Sequence, residues 1–336
     1  MNRFIFFVNI VLSKEKYITL DKDYVLTPFH HVHHLDKNDF LHIEEDIILK
    51  PHSSCNGDNV WGSDRINQES LPLDGVFLDD SSDYNSYGEN IDVYVIDTGV
   101  NNHEKFLRQP IWLGELGDKI KSDINGHGTH VAGTIAGKNV GVAYRSTIYS
   151  VKISMNPEGH AYCSDMARAV DIVIENMKKT GKNSVINLSY GMCRTVSLKL
   201  NQFMSLGGIA NVAAGNDNTD SCSYGEYIDF DLDKGFIVGS TNRYDDVSSF
   251  SNYGSCVEMY APGSHILSLD STSETQCVYM SGTSMASPMV AGVVSAYWSE
   301  YSDLSNDIII SNIKLNSIKN KLNPKNKIIN NNLISL

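Results

Sequence analysis

The stretch HGTHVAG at residues 127–133 sets two histidines among small residues that allow a helix to pack closely against a sheet. Upstream lies VIDTG at residues 95–99, and far downstream lies GTSMASP at residues 282–288. The chain thus offers an aspartate, a histidine and a serine in that order. A serine hydroxyl becomes a nucleophile when a nearby base takes its proton, and that base needs an acid to hold its tautomer. The three stretches therefore indicate nucleophilic catalysis.

Each of these three side chains also has an ordinary structural explanation. Asp97 ends an apolar strand and could cap the turn before Gly99, and a lone His127 would usually be a core or surface residue. Ser284 precedes an apolar helical stretch at 285–292 and could serve only as its N-cap. At a helix N-terminus, however, a serine also faces backbone N–H donors and a partial positive charge. The occurrence of all three together favours a catalytic site.

The three motifs closely resemble those of the subtilisin-like serine proteases, particularly the proteinase K and aqualysin-like members. The likeness covers roughly residues 59–336. It implies that Ser284 is the nucleophile, that His127 is the base and that Asp97 orients His127. It also implies that His130, the second histidine of the stretch, packs inside the protein.

The AAGN stretch at residues 213–216 matches the strand end that carries the oxyanion-binding amide in this family, which implies that role for Asn216 rather than that of a turn residue. The resemblance implies a serine endopeptidase that is made as a zymogen, forms an acyl-enzyme on Ser284 and needs no catalytic cofactor. A catalytically silent peptide-binding protein on the same fold is the alternative. A lipase or esterase is disfavoured, because such enzymes carry Gly-x-Ser-x-Gly whereas Ser284 lies in GTSMA.

The resemblance further implies that an extended polypeptide binds between two backbone segments through main-chain hydrogen bonds. Tyr162 would border the pocket for the fourth residue before the cut, and Tyr224 would lie toward the base of the first specificity pocket. Residues 226–233 carry four carboxylates, which could favour basic side chains or form an exposed acidic loop, and we expect broad specificity. The complete set of substrate-binding residues implied is Gly159, His160, Ala161, Tyr162, Ser189, Tyr190, Gly191, Ala213, Ala214, Gly215 and Tyr224.

The six cysteines permit disulfides without fixing their pairing, and no CxxC pattern indicates zinc. The surroundings of Cys222 and Cys256 resemble those of a disulfide in aqualysin-like members, which implies a bridge between these two residues. Cys163 and Cys193 flank the two substrate-binding segments, so a bridge there is conceivable. Cys277 could be free.

A structural calcium ion is a further possibility that the resemblance raises. Proteinase K-like members often hold Ca²⁺ with a carboxylate near the strand that follows Cys256, and Glu258 occupies that place, where aspartate is usual. Calcium takes several oxygen ligands, so one carboxylate does not define a site.

The composition is that of a soluble globular protein, with 41% hydrophobic and 20% charged residues among 336. The formal net charge of −13 and the lack of a basic patch argue against a nucleic-acid partner. No apolar run is long enough to span a bilayer. We expect a monomer that acts on polypeptides.

Apolar strand-like stretches alternate with helical patterns beyond residue 59. This alternation predicts an α/β fold with a mostly parallel sheet and helices on both faces. The predicted strands are 91–96, 148–153, 185–188 and 209–214, and the predicted helices are 164–179 and 196–206.

Residues 1–55 are expected to form a short α+β prodomain-like segment, with a helix at 35–43 and a strand at 46–51, and residues 56–336 the peptidase domain. The helix and the proline-terminated strand resemble the last part of the inhibitory prodomain of subtilisin-like proteases. Residues 1–12 have the basic start and short apolar core of a secretory signal. No small-x-small cleavage site follows them, so they could instead form a strand. We expect the protein to be secreted or to reside in the secretory pathway.

Overall fold

The computed structural model describes residues 16–20, 25–28, 42–45, 53–55, 60–76, 87–223, 227, 229–322 and 332–336. Contacts between Cα atoms divide the chain into two units, Met1–Pro51 and His52–Leu336. In the first unit, β1 (Lys16–Leu20) pairs antiparallel with β2 (Val25–Pro28) on one side and with β3 (His42–Glu45) on the other.

Strand β3 differs from the predicted helix at 35–43, whose last two residues it contains. Four residues of mixed polarity fit a helix or a strand equally well by spacing, and here pairing with β1 decides for the strand. The remainder of that helix, the predicted strand at 46–51 and the possible signal at 1–12 lie outside the described residues.

The second unit alternates strands with helices from residue 92 onward. Its strands are β4 (Ser53–Ser54), β5 (Asp92–Asp97), β6 (Ile111–Glu115), β7 (Thr147–Lys152), β8 (Ser184–Leu188), β9 (Ile209–Ala213), β10 (Gly235–Thr241), β11 (Met259–Pro262), β12 (Ile266–Leu269), β13 (Gln276–Met280), β14 (Ile318–Lys319) and β15 (Asn332–Leu333). Its helices are α1 (Trp61–Ile66), α2 (His127–Ala136), α3 (Cys163–Thr180), α4 (Arg194–Ser205), α5 (Thr283–Glu300) and α6 (Asn306–Asn316), with a short 3-10 helix at Ser221–Ser223.

Nine strands form one sheet in the order β14-β15-β11-β10-β9-β8-β5-β7-β6. All pairings in it are parallel except that of β14 with β15. A second, antiparallel sheet contains β12, β13 and β4. The mostly parallel α/β fold predicted from the sequence is therefore confirmed.

Strand β5 shows why helices cover both faces of the large sheet. Successive side chains of a strand point to opposite faces, and Val93 and Val95 pack into the core under α2 and α5, whereas Tyr94 and Ile96 pack into the core under α3 and α4. Each of these four side chains is at most 1% exposed. Burial on both faces accounts for the continuous apolar run that predicted this strand.

The connections that leave β5 and its neighbour β8 run in opposite directions across the sheet. From β5 the chain goes to the edge strand β6, from which α2 leads back to β7 and α3 then leads past β5 to β8, whereas β8 continues through α4 to β9 on its far side. In open α/β sheets, such a reversal opens a crevice at the carboxyl ends of the strands, where ligands bind. Asp97 ends β5 at this edge.

Helix α1 carries a fully buried cation. The Arg65 guanidinium, which is 0% exposed, donates to both carboxylate oxygens of Asp245 at 2.8 and 3.0 Å and to the carbonyl oxygen of Gln68 at 2.7 Å. This bidentate pair fastens the start of the second unit to the loop that follows β10. Within the described ranges, no helix combines the length and the apolar character needed to cross a lipid bilayer.

Candidate active site

A hydrogen bond joins His127 to Asp97 where β5 ends and α2 begins. Nδ1 of His127 lies 2.8 Å from Oδ1 of Asp97. The Asp97 side chain is fully buried, whereas that of His127 is 25% exposed. The backbone N–H of Thr98 donates to the same carboxylate oxygen at 2.7 Å and holds it in place. A buried carboxylate thus orients an imidazole that substrates can reach.

The pKa of His127 reflects opposing influences. Burial lowers it, but the charge of Asp97, the hydrogen bond to Asp97 and the charge of Asp123 raise it, and the net result is a pKa above the ordinary value of 6.5. His130 lies deeper, where burial lowers its pKa to about 3. Nε2 of His130 lies 3.0 Å from the carbonyl oxygen of Ile266, so this neutral ring packs between α2 and β12.

Asp123 connects the strand that carries Asp97 to the helix that carries His127. One oxygen of this carboxylate accepts hydrogen bonds from the Thr98 hydroxyl and the Gly126 N–H, each at 2.8 Å. The other accepts from the N–H and the hydroxyl of Thr129 at 2.8 and 2.6 Å. The role of Asp123 was not predicted from the sequence, since this residue lies three positions before Gly126, the N-cap of α2.

Ser284 lies in the first turn of α5, and its hydroxyl donates to the carbonyl oxygen of Ser189 at 3.2 Å. The next residue, Tyr190, places its ring edge-on to the His127 ring with the centroids 6.0 Å apart. Ser284 and His127 therefore flank the same short segment, without a hydrogen bond between them in this structure. A proton transfer between them would require the hydroxyl to turn from Ser189 to the imidazole, since catalytic hydrogen bonds are often long or absent before substrate binds.

A buried network of hydrogen bonds holds the Ser189 side chain in place. The Ser287 hydroxyl donates to Oδ1 of Asn187 at 2.8 Å, and Nδ2 of Asn187 donates to the Ser189 hydroxyl at 2.9 Å. The Ser189 hydroxyl in turn donates to the carbonyl oxygen of Ser284 at 3.0 Å. Asn187 and Ser287 are fully buried. The roles of Asn187 and Ser287 were also not predicted from the sequence, because a polar side chain inside an apolar strand or helix carries no local signal of its partner.

The Asn216 side chain is held in a fixed orientation just beyond β9. Its Oδ1 accepts hydrogen bonds from the N–H and the hydroxyl of Thr283 at 2.9 and 3.0 Å. Its Nδ2 remains on the side of Gly282, where an added Cβ would lie 3.4 Å from this nitrogen and 3.5 Å from the Ser284 N. Two N–H donors thus border one small space beside Ser284.

The two predicted substrate segments face each other. Gly159, His160 and Ala161 form one edge, where Ala161 bridges back to Ser154 and Gly159 adopts a φ of +85°. Ser189, Tyr190 and Gly191 form the other edge directly after β8. The Tyr190 hydroxyl donates to the carbonyl oxygen of Gly159 at 2.7 Å and joins the two edges.

The structure describes only some of the residues predicted to line the substrate pockets. Ala213 and Ala214 are buried at the end of β9, and Tyr227 donates to the carbonyl oxygen of Ala213 at 3.0 Å. Tyr162 is 61% exposed beside the first segment. Tyr224 lies outside the described residues.

Two of the carboxylates between residues 226 and 233 pair with neighbouring cations. Asp229 accepts a hydrogen bond from Arg194 at 2.7 Å, and Asp231 lies 3.6 Å from the Lys234 ammonium. These contacts favour an exposed acidic loop over a binding site for basic side chains.

Six cysteines form three disulfides: Cys55–Cys277, Cys163–Cys193 and Cys222–Cys256. The structure therefore contains the bridge implied for Cys222 and Cys256 and the conceivable bridge between Cys163 and Cys193. The expectation that Cys277 could be free is wrong. Its partner Cys55 was assigned to the prodomain-like segment but directly follows β4 in the second unit. The two cysteines are 222 residues apart, and no local pattern predicts such a pairing.

Glu258 is paired with a cation from the chain itself. The Lys314 ammonium lies 2.8 Å from its carboxylate and 2.6 Å from the carbonyl oxygen of Leu232. Among the described residues, no group of three or more His, Cys, Asp or Glu side chains could hold a metal ion. An ammonium already bonded to the single candidate carboxylate does not fit a calcium site there.

Known proteins resemble this chain in both sequence and structure. The model of the subtilase family matches residues 88–331. The chain is 36% identical over 278 residues to the subtilisin-like serine protease Pen ch 18 of Penicillium rubens, covering 77% of this chain and 54% of that protein. It is 40% identical over 276 residues to the alkaline serine exoprotease A of Vibrio alginolyticus, covering 79% and 49%. The chain thus spans about half the length of these relatives.

A solved structure resembles the fold closely. The crystal structure of a cold-adapted subtilisin-like serine proteinase superposes with a TM-score of 0.73 at 36% sequence identity. The match covers 83% of this chain and 98% of that one. The likeness therefore extends through the whole of that proteinase.

Proposed function

This chain belongs to the subtilase family, and we propose that it is a serine endopeptidase that hydrolyses peptide bonds through an acyl-enzyme on Ser284. One observation carries the proposal: Asp97, His127, Ser284 and Asn216, which are far apart in the sequence, lie at one edge of the sheet. Hydrogen bonds orient Asp97, His127 and Asn216, and the Ser284 hydroxyl is bonded to the carbonyl oxygen of Ser189. Subtilases need no catalytic cofactor, so these side chains would suffice.

In the proposed reaction, Ser284 Oγ forms a bond to the scissile carbonyl carbon while its proton passes to Nε2 of His127. Asp97 stabilises the imidazolium through the 2.8 Å hydrogen bond. His127 then gives the proton to the leaving amine as the C–N bond breaks. Water repeats the same steps on the acyl ester and frees Ser284.

The negative oxygen of the tetrahedral intermediate would be bound in the space beside Gly282. There it would accept hydrogen bonds from Nδ2 of Asn216 and from the Ser284 N–H. Thr283 fixes the Asn216 amide beforehand, so the donor needs no reorganisation during the reaction. Such a preorganised donor lowers the barrier by about 3 kcal/mol.

The substrate would be an extended polypeptide that lies in a groove whose two edges are the Gly159–Tyr162 and Ser189–Gly191 segments. It would be bound with broad side-chain specificity. The protein would act as a monomer after removal of an inhibitory N-terminal segment. Secretion is supported by the three disulfides, which persist in oxidising compartments. It is also supported by the name of a relative, the extracellular serine proteinase of Thermus sp., which is 38% identical over 250 residues. We assign no calcium ion to Glu258.

The test compares the full chain with its Ser284→Ala variant and with Ser273→Ala, at a partly exposed serine in the turn between β12 and β13, as the matched control. Intact mass and N-terminal sequence are measured under reducing conditions, together with labelling by a serine-directed phosphonate. We expect self-processing and labelling at Ser284 in the wild type and in Ser273→Ala, and neither in Ser284→Ala. An unlabelled, unprocessed wild type would contradict catalysis and favour a silent peptide-binding protein.

A further inference from the structure

The disulfide Cys163–Cys193 joins the two helices whose N-termini lie beside the proposed groove. Cys163 opens α3 directly after the Gly159–Tyr162 segment, and Cys193 precedes α4 two residues after Gly191. The two Cα atoms are 6.3 Å apart. A covalent bond therefore connects the two edges of the groove at the end nearest to Tyr162.

Noncovalent contacts also restrain these edges: the Ser189 hydroxyl is hydrogen-bonded to Asn187 and Ser284, and Met192 is buried. The Tyr190 hydroxyl bonds to the Gly159 carbonyl oxygen, but both edges are loop segments outside the large sheet. Gly191 is exposed, and an added Cβ there would meet nothing within 4 Å. The bridge is the covalent link between the two edges at this end.

An extended peptide that hydrogen-bonds to both edges needs a groove of constant width. Hydrogen bonds weaken steeply outside donor–acceptor distances of about 2.7–3.2 Å, and a preformed site avoids the entropic cost of ordering loops on binding. We propose that Cys163 and Cys193 are positioning residues: their disulfide fixes the groove width for the residues upstream of the scissile bond. This inference rests on the proposed groove but not on catalysis.

The test measures peptide binding without turnover. The probe is a succinylated Ala-Ala-Pro-Phe anilide, and the host is the Ser284→Ala variant, with and without Cys163→Ser/Cys193→Ser. We expect loss of this bridge to raise the Kd about tenfold, as expected for the weakening of two main-chain hydrogen bonds. The matched control, Cys55→Ser/Cys277→Ser, removes a bridge from β13, outside the two segments, and should leave the Kd unchanged. The inference would be overturned by an unchanged Kd without the Cys163–Cys193 bridge or by an equal rise in the control. It would also be overturned if the parent Ser284→Ala protein did not bind the peptide.

A second measurement covers the case in which the double variant fails to fold. Cys163 and Cys193 are both partly exposed, whereas each of the other two bridges contains at least one cysteine that is at most 9% exposed. A mild dithiol should therefore reduce the groove bridge first: its thiolate attacks one sulfur, its second thiol releases the mixed disulfide, and two cysteine thiols and an oxidised dithiol result. In the Ser284→Ala protein, we expect the Kd to rise on reduction and to return on reoxidation, with alkylation mapping the reduced pair. A constant Kd would again overturn the inference.

In the wild type, the same bridge should act on KM. We expect its loss to raise KM for the tetrapeptide anilide about tenfold with little change in kcat, while hydrolysis of a single-residue ester stays constant. Hydrolysis of the ester reports on catalysis alone. A wild type that binds the peptide but does not cleave the ester would contradict the proposed function and leave the positioning role standing.

Discussion

Nδ1 of His127 and Oδ1 of Asp97 lie 2.8 Å apart, and the carboxylate of this pair is fully buried while the imidazole is partly exposed. The charge of Asp97 raises the pKa of His127. Only the neutral imidazole can accept a proton from Ser284. We therefore expect kcat/KM to fall on the acid side with a midpoint above pH 6.5, measured as a pH–rate profile.

Replacement of Asp97 by asparagine should change both the rate and that profile. Loss of the carboxylate destabilises the imidazolium and the required tautomer, and we expect kcat to fall about 10⁴-fold. The acid limb of the remaining activity should move to lower pH, because the charge that raises the pKa of His127 is gone. Asp171→Asn, at an exposed carboxylate paired with Lys199, is the control and should change neither. An unshifted acid limb would contradict this role of Asp97.

The variant Asn216→Asp removes the amide donor and puts a negative charge in its place. Aspartate keeps the shape and can still accept both hydrogen bonds from Thr283, but it loses the Nδ2 donor. We expect kcat to fall at least about 10²-fold with a small change in KM and an unchanged melting temperature. A large rise in KM at constant kcat would instead indicate that Asn216 binds the substrate.

Asp123→Asn tests the connection between β5 and α2. The carboxylate accepts four hydrogen bonds, and an amide leaves at least one buried donor without an acceptor. We expect the free energy of unfolding to fall by about 1–3 kcal/mol, measured by denaturant titration. Stability equal to the wild type would show that the helix start does not depend on this carboxylate.

The buried pair of Arg65 and Asp245 offers a comparison within the chain. Lysine cannot reproduce the bidentate contact and leaves part of a buried carboxylate unpaired. We expect Arg65→Lys to lower the stability by about 3 kcal/mol. Arg108→Lys, at an exposed pair with Glu89, should change it by less than about 1 kcal/mol. Equal melting temperatures for the two variants would contradict the role of burial.

Added Ca²⁺ should not raise the melting temperature through Glu258, because Lys314 already neutralises this carboxylate. Lys314→Met should lower the melting temperature, since it removes the bonds to Glu258 and Leu232. Both are measured by scanning fluorimetry with EDTA or added Ca²⁺. A rise in melting temperature with Ca²⁺ that Glu258→Gln abolishes would contradict the ion-pair interpretation.

The sequence predicted the central strands well because they are buried on both faces, so their apolar runs stand out from neighbouring segments. The predicted strand at 91–96 and helix at 164–179 each differ from β5 and α3 by one residue at each end. Short sequence motifs, which are visible without knowledge of the fold, were enough to predict Asp97, His127, Ser284 and Asn216. Asp123, Asn187 and the partner of Cys277 were missed, because their roles depend on partners that only folding brings together.

The disulfide Cys55–Cys277 has a consequence for how this chain tolerates cleavage. Any single cut between these two cysteines leaves both fragments covalently attached, so a nick in the long stretch between them cannot release the piece that precedes it. An N-terminal segment can dissociate without reduction only if the cut falls before Cys55. The bridge therefore separates cuts that liberate the N-terminal segment from cuts that merely open the chain, and gel electrophoresis with and without a thiol would distinguish the two.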